Sequence, residues 1–186
     1  MLKNLHIVKL YDIIHGYEKT CAFTGNRPEK LPWGYDENDE RCIAARAAIM
    51  RKVELAVCDG FTRFISGMAQ GGDMFFAECV LEIKQCNPSV FLECAVPYKG
   101  QSSRWSSDYR RRYDAVMKNA DKVTVLSDNY TPWCMHVRNR YMVDECDRLI
   151  ALSYGKSGGT EQTIDYAKTK NKEIVSVFDK NFGDTP

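Results

Sequence analysis

The sequence predicts an α/β protein with a Rossmann-like, open, mostly parallel β-sheet and helices on both faces. Short apolar runs rich in β-branched and aromatic residues alternate with longer helical patterns almost to the C-terminus. The turns between them are rich in glycine, serine and aspartate, which favour helix starts and tight loops. The chain of 186 residues is 44% hydrophobic and 27% charged, which is typical of one ordinary domain.

Each apolar run is interpreted as a buried strand because it is short and bounded by turn residues. In chain order the predicted strands are 20–24, 63–66, 90–96, 122–126, 148–152 and 173–178. The predicted helices are 37–58, 73–85, 107–119, 134–145 and 161–168. The helix that starts at residue 73 is apolar on several sides, which predicts a position deep against the sheet.

Residues 19–179 are predicted to form this single domain, because no repeat, low-complexity segment or linker rich in proline and glycine divides them. Residues 1–18 fit neither the helical nor the strand period. An added edge strand, a docking helix and a poorly ordered leader are all compatible with that segment. Residues 180–186 form a polar C-terminal tail that we expect to fray.

Charge and cysteine patterns exclude several functional classes. The 26 lysines and arginines balance 25 acidic residues to a net charge of +1, which argues against a chain-wide nucleic-acid or membrane field, so any anion site is local. No apolar stretch resembles a signal peptide or membrane span, and we expect a soluble cytoplasmic protein without a membrane partner. Eight cysteines without a CxxC motif and three separated histidines favour buried free thiols and no metal site.

Loops that follow the strands are the candidate functional segments, because ligands of open parallel sheets bind beyond the carboxyl ends of the strands. In the first loop, Gly25 permits close backbone approach, and Arg27 offers a two-pronged donor for phosphate or carboxylate. A plain turn with a solvated arginine fits this segment equally well.

The loop at 66–73 has a sharper signature, with the sequence Ser-Gly-Met-Ala-Gln-Gly-Gly-Asp. Ser66, Gly67 and Gly71 allow backbone amides to approach an anion at the start of the next helix, as in a phosphate cradle. The loop matches neither the Walker motif nor GxGxxG. Asp73 fits two roles, a helix N-cap or an acceptor for ribose hydroxyls.

A second glycine-rich loop opens the last helix. Gly158 and Gly159 supply a flexible turn, and Thr160 adds a hydroxyl at the helix start. Two such loops in one domain favour a shared anion site over a purely structural role for each.

Three further residues are candidates for ligand recognition, two of them for a nucleobase. Gln101 and Trp105 share a loop after the third strand, where an aromatic face and an amide suit stacking and edge recognition. Surface packing of Trp105 is the alternative. Asn139, on a predicted helix, is placed either to reach a ligand or to cap a loop.

The ordered set of motifs resembles the YpsA-like branch of the SLOG superfamily, which also includes the DNA-processing protein DprA and the LOG phosphoribohydrolases. The resemblance covers residues 20–178. It implies a Rossmann-like domain with a pocket for a nucleotide or nucleotide derivative, and it points to a bacterial or phage protein. The motifs that carry it are 24–28, 66–73, 97–105, 138–144 and 158–160.

By position, the resemblance implies that Gly25 and Arg27 flank the ligand. It further implies that a central cradle is formed by Ser66, Gly67, Gly71 and Asp73. A phosphate is then held by Gly158, Gly159 and Thr160.

The expected function is ligand binding, with signal sensing as its purpose. One alternative is N-glycosidic hydrolysis of nucleoside 5'-monophosphates, but the position of the catalytic glutamate in LOG enzymes falls on Thr163, and Glu161 substitutes only if the helix register shifts. Another is single-stranded DNA binding of the DprA type, which the near-neutral charge does not favour. No catalytic residue is identified, no cofactor beyond the nucleotide-type ligand is implied, and homo-oligomerisation is compatible with the resemblance.

Overall fold

A computed structural model describes residues 19–178 of the chain. The segments 1–18 and 180–186, for which the sequence predicts a leader or edge element and a fraying tail, lie outside the described residues. Six strands and five α-helices alternate along the described part. The strands are β1 (Lys19–Gly25), β2 (Phe61–Ser66), β3 (Phe91–Val96), β4 (Lys122–Val125), β5 (Arg148–Leu152) and β6 (Glu173–Ser176); the helices are α1 (Glu40–Cys58), α2 (Gly72–Cys86), α3 (Ser107–Asn119), α4 (Cys134–Glu145) and α5 (Gly159–Thr169).

The strands form one sheet in the order β4-β3-β2-β1-β5-β6. Every pair of neighbours is parallel, which confirms the predicted fold class. The chain builds the sheet outward from β1 to β4 and then returns to add β5 on the other side of β1. The carboxyl ends of β1 and β5 therefore flank the point where the direction of winding reverses, where open α/β sheets bind ligands.

Helices cover both faces of the sheet because successive strand side chains point to opposite sides. Phe23 on β1 belongs to the larger apolar cluster, with residues of α1, α2 and α3. Its ring stacks on that of Phe76, with centroids 4.8 Å apart. The adjacent Ala22 points the other way, into a smaller cluster with residues of α4 and α5. The helix α2 is buried along most of its first half, which confirms its predicted place against the sheet.

The helices α3 and α4 begin at the predicted residues, and α2 begins one residue early, but the starts of α1 and α5 differ by more. The first helix begins at Glu40, three residues later than predicted, because the carboxylate of Asp39 caps it by accepting a hydrogen bond from the Arg41 amide at 2.8 Å. The last helix begins at Gly159, two residues earlier than predicted. A short 3-10 helix, Pro28–Lys30, follows β1 and is not evident in the sequence pattern.

The cysteines are mostly buried, as predicted, but two are not. Cys58 and Cys86 are exposed because they lie at the C-terminal ends of α1 and α2, beyond the sheet. Within residues 19–178, no helix has the length and apolar character needed to traverse a lipid bilayer, and no group of three or more metal-ligating side chains is placed to hold an ion.

Candidate functional site

A cleft of about 450 Å³ opens beyond the carboxyl ends of β1 and β5. Its walls come from the loop after β1, the loop after β2, the helix α4 and the N-terminus of α5. The switch in winding direction leaves this gap, because the helices after β1 and β5 go to opposite faces. The residues that line it are Thr24, Gly25, Asn26, Arg27, Glu29, Lys30, Ala69, Asp73, Pro132, Met135, His136, Arg138, Asn139, Met142, Gly159, Thr160 and Gln162.

Half of the twelve candidate residues from the sequence line this cleft, and the others lie behind or away from it. The lining candidates are Gly25, Arg27, Asp73, Asn139, Gly159 and Thr160. The remaining six are Ser66, Gly67, Gly71, Gln101, Trp105 and Gly158, whose positions are described below.

Asp73 and Arg138 form a buried ion pair at the base of the cleft, with 3.0 Å between Nη1 of Arg138 and Oδ2 of Asp73. Their exposed fractions are only 4% and 5%. Burial raises the pKa of Asp73 in spite of Arg138 and the Ala69 amide, and burial lowers the pKa of Arg138 in spite of Asp73. Each charge thus depends on the other to stay ionised in this environment. Sequence reasoning did not identify Arg138, although it singled out its neighbour Asn139.

The side chain of Asp73 also determines the shape of the loop between β2 and α2. The helix starts at Gly72, with Gly71 as N-cap, so Asp73 lies in the first turn and does not cap it. Its Oδ2 accepts a hydrogen bond from the Ala69 amide at 3.2 Å. The hydroxyl of Ser66 accepts one from the Met68 amide at 3.2 Å and donates to the Asp73 carbonyl at 2.8 Å. These two amides of the predicted cradle are therefore bonded within the loop.

Gln101 supports the same loop from behind. Its side-chain amide donates to the carbonyl of Met68 at 2.8 Å. Met68 has a φ of +57°, a left-handed conformation that is rare for a side chain of this kind. The bond from Gln101 helps to hold that backbone in place. Gln101 is buried and does not line the cleft.

Two glycines of the loop are required by close approach and by backbone conformation. A Cβ at Gly67 would overlap the guanidinium of Arg138 and lie 2.7 Å from Oδ2 of Asp73. Gly71 has a φ of +87°, and a Cβ there would also lie 3.1 Å from the carbonyl oxygen of Asn26. Gly67 therefore makes room for the ion pair, and Gly71 for the contact with the loop after β1.

The N-terminus of α5 contributes unbonded donors to the cleft. The amides of Gly159, Thr160 and Glu161 have no hydrogen-bond partner among residues 19–178, and helix N-termini carry partial positive charge. Asn26 fixes this turn: its Nδ2 donates to Oγ1 of Thr160 at 3.3 Å, and its Oδ1 accepts from the Tyr154 amide at 2.9 Å.

Gly158 has a φ of +150°, which residues with a side chain rarely adopt, and it lies beside the Nζ atom of Lys30. Lys30 donates a hydrogen bond to the neighbouring carbonyl of Ser157. The ammonium group thus holds the turn that leads into α5 at the mouth of the cleft.

Arg27 is the open cation of the cleft. It is exposed, and its guanidinium makes no hydrogen bond or ion pair with another residue of the described segment. Arg138 is paired with Asp73 and Lys30 is bonded to Ser157, so Arg27 has the largest set of free donors on this wall. The amide of Asn139, on the opposite wall, is 3.5 Å from the carbonyl of Gly159.

Trp105 lies away from the cleft. Its ring contacts that of Tyr113 edge-on, with centroids 5.3 Å apart, and it packs against the larger apolar cluster. Of the two roles considered for Trp105, packing on the domain fits these contacts, and stacking on a ligand in the cleft does not.

The cleft contains few carboxylates that could take part in N-glycosidic hydrolysis. Among the described residues, Asp73 and Glu29 are the acids of the cleft lining. A hydrogen bond from Tyr35 lowers the pKa of Glu29, which keeps it ionised. Thr163, at the position of the glutamate in LOG enzymes, is buried and bonds the Gly159 carbonyl at 2.6 Å. Glu161 accepts a hydrogen bond from Ser153 and does not line the cleft.

Comparison with known proteins decides the family. A family model described as the YspA SLOG family matches residues 21–180. The chain belongs to the YspA SLOG family. The resemblance drawn from the sequence motifs is thereby confirmed, and the matched residues of this SLOG protein include all six strands from the third residue of β1 onward.

Two curated relatives are each 29% identical to this SLOG protein over the aligned residues. The SPbeta prophage-derived protein YoqJ of Bacillus subtilis (strain 168) aligns over 127 residues, 62% of this chain and 74% of YoqJ. A UPF0398 protein of Bacillus thuringiensis (strain Al Hakam) aligns over 161 residues, 84% of this chain and 85% of that protein.

The DNA processing protein A (DprA) of Streptococcus pneumoniae has a similar structure. It superposes with a TM-score of 0.60 at 14% identity, over 92% of this chain and 54% of DprA. This SLOG protein therefore spans about half of the DprA chain, and the likeness at this identity concerns the fold alone.

Proposed function

We propose that the cleft binds a nucleotide or nucleotide-derived ligand, with its phosphate between Arg27 and the N-terminus of α5. The observation that carries the proposal is that both groups offer free donors to one cleft at the switch point of the sheet. A phosphate accepts several hydrogen bonds at once, and helix amides with an arginine fork are the donors that proteins use for it.

The base of the cleft suits the sugar of such a ligand. Arg138 and Asp73 place charged polar groups there, and Nε of Arg138 is a buried donor without a partner among residues 19–178. Asn139 and Gln162 add amide groups to the same wall. These groups match ribose hydroxyls, which both donate and accept.

The proposed role is recognition of the ligand, as in a sensor, without conversion of it. Asp73 is occupied by Arg138 and Ala69, and Glu29 is held ionised by Tyr35. A general acid must carry a proton near neutral pH that it can donate to the ligand. Neither carboxylate is arranged to do so.

A thermal-shift screen against nucleoside mono-, di- and triphosphates, ADP-ribose, NAD and short single-stranded DNA tests the proposal, with product analysis of each hit. A ligand at 100 times its dissociation constant stabilises the native state by about 2.7 kcal/mol, which gives a visible rise in Tm. We expect a nucleotide-type hit, with the same ligand recovered intact.

Arg27→Gln supplies the site-specific arm of the test. Loss of a charged hydrogen bond costs about 1.5–3 kcal/mol, so affinity should fall roughly 10- to 150-fold. Arg110→Gln is the matched control, because Arg110 is exposed on α3 and does not line the cleft. Unchanged affinity in Arg27→Gln, or a shift with DNA alone that falls steeply with salt, would refute the proposed site. Released base would establish turnover and refute the sensor role.

A further inference from the structure

A large aromatic side chain is exposed beside the cleft, at the start of α4, although it does not itself line the cleft. Trp133, the residue that precedes α4, has 69% of its surface exposed. Trp33 is buried, and Trp105 packs on Tyr113. Exposure of a tryptophan ring to water is unfavourable, so Trp133 is the tryptophan whose position the described core does not explain.

The ring of Trp133 contacts that of His136, and His136 lines the cleft. The two ring centroids are 5.9 Å apart, and the planes are inclined by 45°. His136 lines the cleft, as do Pro132 and Met135 on either side of Trp133 in sequence. Among the described lining residues, His136 has the one aromatic ring. His136 is therefore the aromatic ring on which a flat group in the cleft can stack, and Trp133 lies beside it.

The cleft also continues past His136. A hollow of about 220 Å³ adjoins it between α4 and α5, and His136, Asn139 and Gln162 line both spaces. The aromatic rim is thus next to two side-chain amides, each with donors and an acceptor. A flat group stacked at the rim would have its polar edge within the part of the wall that carries these amides.

We propose that Trp133 and His136 form the stacking platform for the nucleobase of the ligand. The inference rests on the proposed function, which puts the phosphate at the α5 end of the cleft. It assigns base recognition to a pair that the sequence patterns did not single out, in place of Gln101 and Trp105. A purine offers the larger face to stack, so the platform favours purine over pyrimidine nucleotides.

The other exposed aromatic residue nearby provides a matched control. Tyr130 is 64% exposed, and its ring contacts Tyr98 edge-on, with centroids 5.4 Å apart. It lies three residues before Trp133, and its ring contact is with Tyr98 and not with the cleft-lining His136. Tyr130→Ala therefore removes a rim aromatic without touching the platform.

The test compares dissociation constants for AMP, CMP and ribose 5-phosphate in the wild type, Trp133→Ala, Trp133→Phe and Tyr130→Ala. Stacking of one base on an aromatic side chain predicts a loss of roughly 5- to 150-fold for AMP in Trp133→Ala. We expect Trp133→Phe to retain most of the affinity. Ribose 5-phosphate, which has no base, should bind all four proteins equally, and Tyr130→Ala should match the wild type throughout.

Intrinsic fluorescence gives a second readout in the wild type. AMP should quench the emission of exposed Trp133, and ribose 5-phosphate should leave it unchanged. Trp133→Phe should lose the AMP response while it still binds AMP.

The outcomes separate the two proposals. If Trp133→Ala binds AMP as the wild type does, or loses AMP and ribose 5-phosphate equally, the platform is wrong and the phosphate site stands. If the wild type binds ribose 5-phosphate but neither AMP nor CMP, the platform is wrong; if it binds none of these probes and no ligand of the thermal-shift screen, both proposals fail. A wild type that binds CMP more tightly than AMP contradicts the purine preference.

Discussion

Substitution of Arg138 by methionine tests whether the ion pair at the base of the cleft supports the fold. Arg138→Met leaves Asp73 buried at 4% exposure without its counter-ion. Breaking a buried pair by removal of one partner costs about 3–5 kcal/mol. In a domain of this size, 1 kcal/mol lowers Tm by about 2–4 °C. The Tm of Arg138→Met should therefore fall by roughly 6–20 °C relative to the wild type.

The pH dependence of this loss has a definite sign. Burial already raises the pKa of Asp73, and removal of Arg138 raises it further. A group whose pKa is raised on folding contributes stability at low pH and loses it as pH rises. The deficit of Arg138→Met should therefore be smaller near pH 5 than near pH 8.

Thermal unfolding followed by circular dichroism measures the effect. The double variant Asp73→Asn/Arg138→Met removes the stranded charge and keeps an acceptor for the Ala69 amide, so it should recover most of the loss. Arg111→Met is the control: its exposed pair with Asp108 is worth about 0–1 kcal/mol. A loss below about 1 kcal/mol in Arg138→Met, or a double variant no more stable than the single one, would refute this account of the pair.

Three further results are expected. Gly67→Ala should destabilise the protein by about 1–3 kcal/mol in urea unfolding, because its Cβ overlaps Arg138; an unchanged midpoint would contradict this. Burial raises the pKa of Glu93, but bonds from neighbouring side chains outweigh it and hold the value to about 2; stability should fall as pH drops from about 4.5 toward 2, and less so in Glu93→Gln. Asn26→Ala should cost about 1–3 kcal/mol, since it leaves the buried Thr160 hydroxyl and the half-buried Tyr154 amide without these bonds; equal Tm values would argue against it.

The fold class was predictable because its signals are local. Apolar runs and helical patterns alternate along the chain, and parallel strands joined by helices follow one handedness. The ends of the elements were predicted less accurately, because capping interactions determine where a helix begins. The Asp39 cap moves the start of α1 to Glu40, and Gly158, with no side chain to cap, still precedes a helix that begins two residues before the predicted start.

The site was predictable only as a set of loops. Gly25, Arg27 and Thr160 line the cleft because loops after parallel strands converge at one edge of the sheet. The pairing of Asp73 with Arg138 spans 65 positions, and no local pattern reports a contact of that range. Likewise, Trp105 and Trp133 both lie in segments between a strand and a helix, and only packing shows that Trp105 is partly buried and Trp133 exposed.

The contact between Asn26 and Thr160 joins positions that are 134 residues apart. The cleft walls thus come from the opening, the middle and the closing thirds of the described chain. A ligand in the cleft would contact all of these segments. We therefore expect amide hydrogen exchange in each of them to be slower in the bound than in the free protein. If the proposed function holds, a bound ligand would reduce the mobility of all of these segments, including parts that do not touch it.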